Sequence, residues 1–352
     1  MCINLFSYSG SKLTVKLLDI ADKAGVSTST VSRVLNDQTE KYRISIETKK
    51  LVLRTAQDLN YRPNELARGL RLNRSHTIGI VVPDISNPFF AYIIHIIQIH
   101  ASQSGYSLIV CNTNENIETE VEQIELLRRK GIDGYIILPV GTRYDHIQEL
   151  IHNNRSVVIL DRSIEELDVD TIVIDNYMGA FKAVEHLIEN GHTRIAIIKG
   201  LPNTYTTNER LRGYVDALKK YNIPVNEDYI VGKDFRKENG YIETKFLLSL
   251  ETPPSAIFAT SDLITLGTFE AIFEMKLNIP EDISIVAFDD IDFAPFLISP
   301  LTVVKQPREK MGETAVKLLI DDIKFKNKTE RKRIVLKPEL IIRNSVKKIF
   351  NP

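Results

Sequence analysis

Thr28, Ser29, Ser32 and Arg33 share a short run with Val31, Val34 and Leu35. Helical spacing gathers the three apolar residues on one stripe and turns the hydroxyls and the guanidinium away from it. Such a face suits a DNA major groove: Arg can bond guanine in bidentate fashion, worth about 1–3 kcal/mol of discrimination, and Ser or Thr adapts to several base edges. A second constellation collects at the ends of apolar runs further along. It comprises Asp84 with Asn87-Pro88-Phe89-Phe90, then Asp161-Arg162, Asp175-Asn176, Ser261-Asp262 and Asp289-Asp290. Aromatic faces beside Asp, Asn and Arg match a polyhydroxylated ligand, whose C–H faces stack on rings while its hydroxyls bridge charged groups. Any one such Asp is equally well a helix cap. It is the convergence of several ends that points to a site.

The first group needs a small helical scaffold. Leu17, Ile20, Ala21 and Ala24 fall at helical spacing, Gly25-Val26 breaks the run, and Ser27 is a good N-cap for the next helix. Ser45 caps a third helix, whose Leu51, Val52, Ala56 and Leu59 are expected to complete the core. A generic three-helix bundle with a solvated polar face is the plain alternative. Charge favours a nucleic-acid partner. Residues 12–75 carry 13 Lys and Arg against 7 Asp and Glu, whereas residues 76–352 carry a net charge of about −7.

The second group needs sheets. Thr77–Val82, Ser107–Val110, Gly134–Leu138 and Val157–Leu160 form one set of β-branched runs between amphipathic stretches. Ile172–Ile174, Ile195–Ile198, Ala256–Ala259 and Ser284–Phe288 form another. Continuous apolar strands alternating with helices predict parallel sheets covered on both faces, and two sets predict two similar lobes. Ligands bind such sheets at the carboxyl ends of their strands, where the polar residues lie.

Ala24-Gly25-Val26-Ser27-Thr28-Ser29-Thr30-Val31-Ser32-Arg33-Val34-Leu35-Asn36, Asn60-Tyr61-Arg62-Pro63-Asn64 and Leu66-Ala67-Arg68-Gly69-Leu70 resemble the lac repressor family. The likeness continues through Asp84–Phe90 and Leu301-Thr302-Val303-Val304-Lys305-Gln306-Pro307, from about Lys16 to Ser345. It implies an all-α helix-turn-helix head on a two-lobed, periplasmic-binding-protein-like (type I) α/β core. The expected divisions are an extension (1–13), the DNA-binding domain (14–62), a hinge helix and linker (63–75), the core (76–346) and a tail (347–352). Within the core, 76–174 and 303–332 are assigned to the first lobe, and 175–302 and 333–346 to the second. The resemblance further implies that Thr28, Ser29 and Arg33 read bases, that Ser27, Thr30 and Asn36 position phosphates, and that Asn64, Ala67 and Leu70 belong to a hinge entering the minor groove. A leucine between base steps kinks the duplex, at a few kcal/mol recovered through added contact. Asn64 to Leu70 is too short for a stable isolated helix, and Gly69 weakens it, so such a hinge should fold only on DNA.

For the core, the resemblance implies that Asn87, Phe89, Phe90, Arg162, Thr206, Arg210, Phe235, Asp289 and Gln306 touch a small effector, with Asp161 and Ser261 beside them. Purine-binding relatives place an aromatic residue where Arg162 stands, and sugar binders often carry the Asp161-Arg162 pair. A carbohydrate effector is therefore expected. Ser261 departs from the Asn common in sugar binders. The stretch Arg308–Lys317 keeps only part of the pattern by which one branch of the family binds a phosphoprotein corepressor. A homodimer on a roughly palindromic operator is expected, and the seven residues after Ser345 leave no space for a leucine-heptad tetramerisation tail.

Other classes fit less well. Cys2 and Cys111 are too few for a metal site or disulfide framework, which suits a reducing cytosol. The first 13 residues lack the basic flank of a signal peptide, and no apolar run reaches membrane-spanning length. A sugar-binding transport component would share the lobes but have no use for basic helices. Asp289-Asp290 with Asp175 could suggest paired-carboxylate catalysis, and His186 or His192 a base, yet no phosphate loop, nucleophile elbow or metal motif accompanies them. The helix-end Gly191-His192 reads as structural. No cofactor, metal or catalytic residue is expected.

Overall fold

The computed structural model describes residues 15–61, 74–325 and 330–349. The expected extension and hinge, with Asn64, Ala67 and Leu70, lie outside them. The chain forms two compact units, one up to Asn73 and one from Arg74 onward.

The first unit holds α1 (Leu17–Ala24), α2 (Thr28–Leu35) and α3 (Ile46–Asp58). The Lys16 N–H donates to Asp19 Oδ2 at the start of α1. At its end Gly25 takes φ +65°, so that the Val26 N–H reaches the Ala21 carbonyl. Glycine supplies that left-handed corner without a Cβ penalty, and the corner separates α1 from α2. Ile20, Ala21, Ala24, Val31, Val34, Val52 and Ala56 make the core, with Leu59 packed against it. The expectation for Leu51 fails: it is 48% exposed, and Thr55 is buried instead. Leu51 lies one position before Val52, and a 100° step carries it off the buried stripe.

The second unit is built on two sheets. The first contains β1 (Thr77–Val82), β2 (Ser107–Asn112), β3 (Gly134–Ile137), β4 (Ser156–Leu160), β5 (Asp170–Ile174) and β11 (Arg333–Leu336) in the order β11-β5-β4-β3-β1-β2, all parallel. The second contains β6 (Ile195–Ile198), β7 (Ile230–Val231), β8 (Ala256–Ala259), β9 (Ser284–Phe288), β10 (Thr302–Lys305) and β12 (Glu339–Ile341) in the order β12-β10-β9-β8-β6-β7, with only β12 antiparallel. Helices α4 (Pro88–Gln103), α5 (Ile117–Arg129), α6 (Asp145–His152) and α11 (Arg308–Lys324) cover the first sheet. The second is covered by α7 (Asn176–Glu189), α8 (Tyr205–Lys220), α9 (Lys237–Ser249) and α10 (Asp262–Glu274). Period-2 alternation sends Ile78, Ile80 and Val82 to the core under α4 and α11, and Val81 to the opposite core. Each fully buried Ile or Leu contributes about 1.5–3 kcal/mol.

Three strands fall differently from the sequence expectation. Ile172–Ile174 pairs with β4 in the first sheet, as the lobe division at 174 expected and the grouping of apolar runs did not. Thr302–Lys305 belongs to the second sheet, and Arg333–Leu336 to the first, so the chain recrosses near Gln306 and again between Leu336 and Glu339. The expected divisions at 303 and 333 thus shift by a few residues. Each of these strands is short, and the helix before or after it does not disclose which sheet it joins.

Candidate ligand cleft and nucleic-acid interface

In the first unit the residues meant to face DNA lie on or beside α2. Ser27 Oγ accepts from the Thr30 N–H and lies 2.8 Å from Ser29 Oγ and 2.9 Å from Thr30 Oγ1. Asn36 Nδ2 donates to the Ser32 carbonyl. Two of the three residues expected to position phosphates, Ser27 and Asn36, therefore first serve the helix ends. Thr28 and Ser29 are exposed. The Arg33 guanidinium lies 4.0 Å from the centre of the Tyr42 ring, a cation–π contact that orders a long, otherwise mobile side chain. Tyr42 was not among the sequence candidates. It comes from the connection 37–43, which the Lys49–Asp37 ion pair ties to α3 and the Ile44 N–H to Thr39 carbonyl bond closes on itself. The Arg33–Tyr42 contact has no sequence period to announce it.

In the second unit all eleven expected effector residues line one cavity of about 340 Å³. Asn87, after β1, caps α4 through the Phe89 N–H and donates across the cleft to Asp262 Oδ1 at 3.1 Å. Phe89 and Phe90 meet edge to face behind it. Asp161 and Asp289 leave β4 and β9 at corresponding places with φ of +68° and +81°. Their own N–H groups still bond the neighbouring strand, to the Ile172 and Val304 carbonyls. A left-handed turn at a non-glycine costs about 1–2 kcal/mol, and here it accompanies two side chains that line the cavity. Strain of this kind gathers at functional sites.

The remaining walls come from further off. Arg210, on α8, donates to Asn176 Oδ1 at 2.8 Å and to the Thr260 carbonyl, with its guanidinium 3.7 Å from the Phe288 ring centre. Arg162 is held by Glu115 at 2.6 and 2.8 Å and lies 5.3 Å from the Phe235 ring centre. Gly200 leaves room for that ring, since a Cβ there would come within 2.0 Å of it. Ser261 Oγ caps α10 through the Ile264 N–H. Gln306 Nε2 donates to Asp289 Oδ1.

Several polar atoms in the cavity wall are buried and have no protein partner: Asp161 Oδ1, Arg162 Nε, Thr206 Oγ1 and Gln306 Oε1. Buried polar groups are normally satisfied, so four together mark a surface made for something else to complete. Burial pushes the Asp161 carboxyl up to about 6 against the pull of Arg162 and Arg210. Burial, then the charge of Asp289, likewise pushes Asp262 up to about 6. Burial also lowers the Arg210 guanidinium, whereas Arg162, which burial alone would lower, is carried above its ordinary value by Glu115.

Other candidates prove structural. Asp84 closes a turn on Ser86, Asp175 caps α7 at the Met178 N–H, and Asp290 pairs with Arg343 at 3.2 Å, so Asp175 and Asp290 form no carboxylate pair with Asp289. His192 is buried between Ser255 Oγ and the Lys347 carbonyl, and burial lowers its pKa, so hydrogen bonding to these partners, rather than a helix dipole, fixes it. Glu115 is the cavity-side residue that the sequence reading missed.

A helix-turn-helix unit followed by a two-lobed α/β unit with a ligand-sized cleft defines a ligand-responsive transcription regulator. Residues 16–64 match the profile described as bacterial regulatory proteins, lacI family, and residues 75–344 match that of periplasmic binding proteins and the sugar binding domain of the LacI family. The chain belongs to the LacI family and is a DNA-binding transcriptional regulator with an effector-binding domain. It is 37% identical to the HTH-type transcriptional repressor PurR of Pasteurella multocida (strain Pm70), over 94% of this chain and 98% of that protein. The lac repressor dimer bound to operator and the anti-inducer ONPF superposes with a TM-score of 0.84 at 28% identity, covering 95% of this chain and 99% of that one. A LacI family regulator from Enterococcus faecium with bound ribose gives 0.70 at 31% identity, over 78% of this chain and 100% of that one.

Proposed function

We propose that the protein is a sugar-responsive repressor that binds a roughly palindromic operator as a homodimer in the cytoplasm, and that it has no catalytic role. The observation that carries the sugar reading is the set of unpartnered Asp161, Arg162, Thr206 and Gln306 atoms beside Phe89, Phe90 and Phe235. Scattered donors and acceptors between ring faces match the many hydroxyls of a sugar. The Enterococcus faecium relative holds ribose.

A planar base is the second reading. The resemblance to purine-binding relatives implies an aromatic residue at position 162, where this chain has Arg162, already forked by Glu115. A phosphoprotein corepressor has less support, because Arg308–Lys317 keeps only part of the pattern expected for it. Exposed Ile242 and Phe246 on α9, and Leu266 and Phe273 on α10, favour a second copy as partner.

Thr28, Ser29 and Arg33 read bases, Ser27, Thr30 and Asn36 approach phosphates, and Asn64, Ala67 and Leu70 form the hinge. Effector and operator affinities change each other by one reciprocal factor, with release on sugar binding the expected sign. A thermal-shift screen of the purified chain against neutral sugars and nucleobases tests the effector. A shift from sugars alone, lost in Arg162→Ala, is expected; a shift from bases alone overturns the sugar reading. Arg33→Ala should leave weak, salt-sensitive DNA binding without operator preference, whereas unchanged selection in a competition assay would remove Arg33 from the reading face.

A further inference from the structure

Arg162 borders the cavity as its most versatile cation, yet most of its donors are already engaged. Nη1 donates to Glu115 Oε2 at 2.8 Å and to the Pro139 carbonyl at 3.2 Å, Nη2 donates to Glu115 Oε1 at 2.6 Å, and Nε alone has no partner. We propose that Glu115 sets the ligand class of this cleft, selecting a neutral polyhydroxylated ligand and rejecting sugar phosphates and sugar acids. The proposal deepens the sugar reading and rests on it.

A guanidinium with its outer edge open is a receptor for phosphate or carboxylate, because its parallel N–H groups meet two oxygens at once. Glu115 fills that edge from within the protein. What remains is the buried Nε–H and one Nη2–H, and the Glu115 carboxylate already balances the charge that would hold an anion against them. The other cation, Arg210, commits Nε to Asn176 Oδ1 and one Nη1–H to the Thr260 carbonyl, and its charge is set against Asp289 and Asp161. Asp161, Asp262 and Asp289 also stand at the cleft and are buried, so an arriving anion meets carboxylates. Like charges in a poorly solvated site repel strongly.

Glu115 is held for this task. It follows Asn114 out of β2, both in the left-handed region at φ of +57° and +53°, and its N–H donates to the Pro83 carbonyl. Asn112 Nδ2 steadies the turn through Asn114 Oδ1 at 2.7 Å. Glu115 lines an adjoining chamber of about 410 Å³ with Asp84, Asn114 and Arg236, while its partner Arg162 lines the effector cavity. The pair therefore stands in the wall between the two chambers.

The test uses the purified full chain as wild type, Glu115→Gln and Glu115→Asp, titrated calorimetrically with neutral pentoses and hexoses, their phosphates, and inorganic phosphate. The wild type should bind a neutral sugar and ignore inorganic phosphate. Glu115→Gln should gain phosphate binding and move the phosphate-to-neutral affinity ratio on the order of tenfold or more. Glu115→Asp, which keeps the charge, should retain the wild-type preference. An unchanged ratio in Glu115→Gln, or equal phosphate binding in the wild type, overturns the proposal. If no variant binds any sugar, the sugar reading fails while the inorganic phosphate comparison still judges Glu115. Should Glu115→Gln melt below the assay temperature, Glu115→Ala gives the same comparison.

Discussion

At the scale of single residues, the cleft is a balance between burial and charge. Asp161 is pushed up to about 6 by burial, so at pH 5 it is largely protonated and at pH 7 largely ionised. A sugar hydroxyl donating to Asp161 favours the ionised form and releases the proton on binding. Effector affinity should therefore rise between about pH 5 and pH 7, and calorimetry in buffers of different ionisation enthalpy should detect the released proton. Asp161→Asn should flatten the profile; a profile identical to wild type would place the titration elsewhere. The folding sign is opposite. A carboxyl raised in the folded state contributes stability below its unfolded pKa and loses it as pH climbs through about 6, so Asp161→Asn should melt relatively later as pH rises. Arg210→Met removes the donor to Asn176 and Thr260 from a fully enclosed position. Its melting curve should show a loss of about 3–5 kcal/mol, the size expected when a buried charge network loses one member.

At the scale of elements, corners rather than helix or strand interiors decide the outcome. Gly25→Ala meets nothing within 4 Å, so its effect is purely the strain of φ +65°. The helix-turn-helix unit should lose about 1 kcal/mol in denaturant titration with the slope unchanged. Gly200→Ala meets the Phe235 ring instead, and effector affinity should fall while DNA binding to random duplex stays as it was. The periodic parts of these elements were legible in the chain itself. Val31 and Val34 on α2, or Ile78 and Ile80 on β1, declare a buried side through spacing, and Asp161-Arg162 stands where an apolar run stops. The rest had no such signal. Tyr42 reaches Arg33 from an irregular connection, and Glu115 meets Arg162 across 47 positions of chain. The short strands β10 and β11 pair by long-range hydrogen bonding that their own residues do not encode.

At the scale of the molecule, the lobes are linked both by chain crossings and by the Asn87–Asp262 bond across the cleft. Asn87→Asp keeps the cap on α4 but sets an acceptor against Asp262. Above about pH 6, where Asp262 is ionised, the lobes should separate, seen as a larger radius of gyration in small-angle scattering. Effector affinity should drop on the order of tenfold, and a return to the closed dimensions near pH 5 is expected. An unchanged radius across that range would show that the bond does not hold the cleft.

The positions of β11 and β12 bear on how the chain is made. Residues 333–336 complete the first sheet and residues 339–341 the second, and the Ile349 N–H still reaches back to the Asn190 carbonyl. Neither sheet gains its last edge strand until almost all of these residues have been synthesised. The three helices within residues 17–58 need only local contacts and fold as soon as they emerge. During synthesis a three-helix unit is thus tethered to sheets that still lack an edge strand, and a ribosome that stalls before residue 333 leaves a fragment in that state.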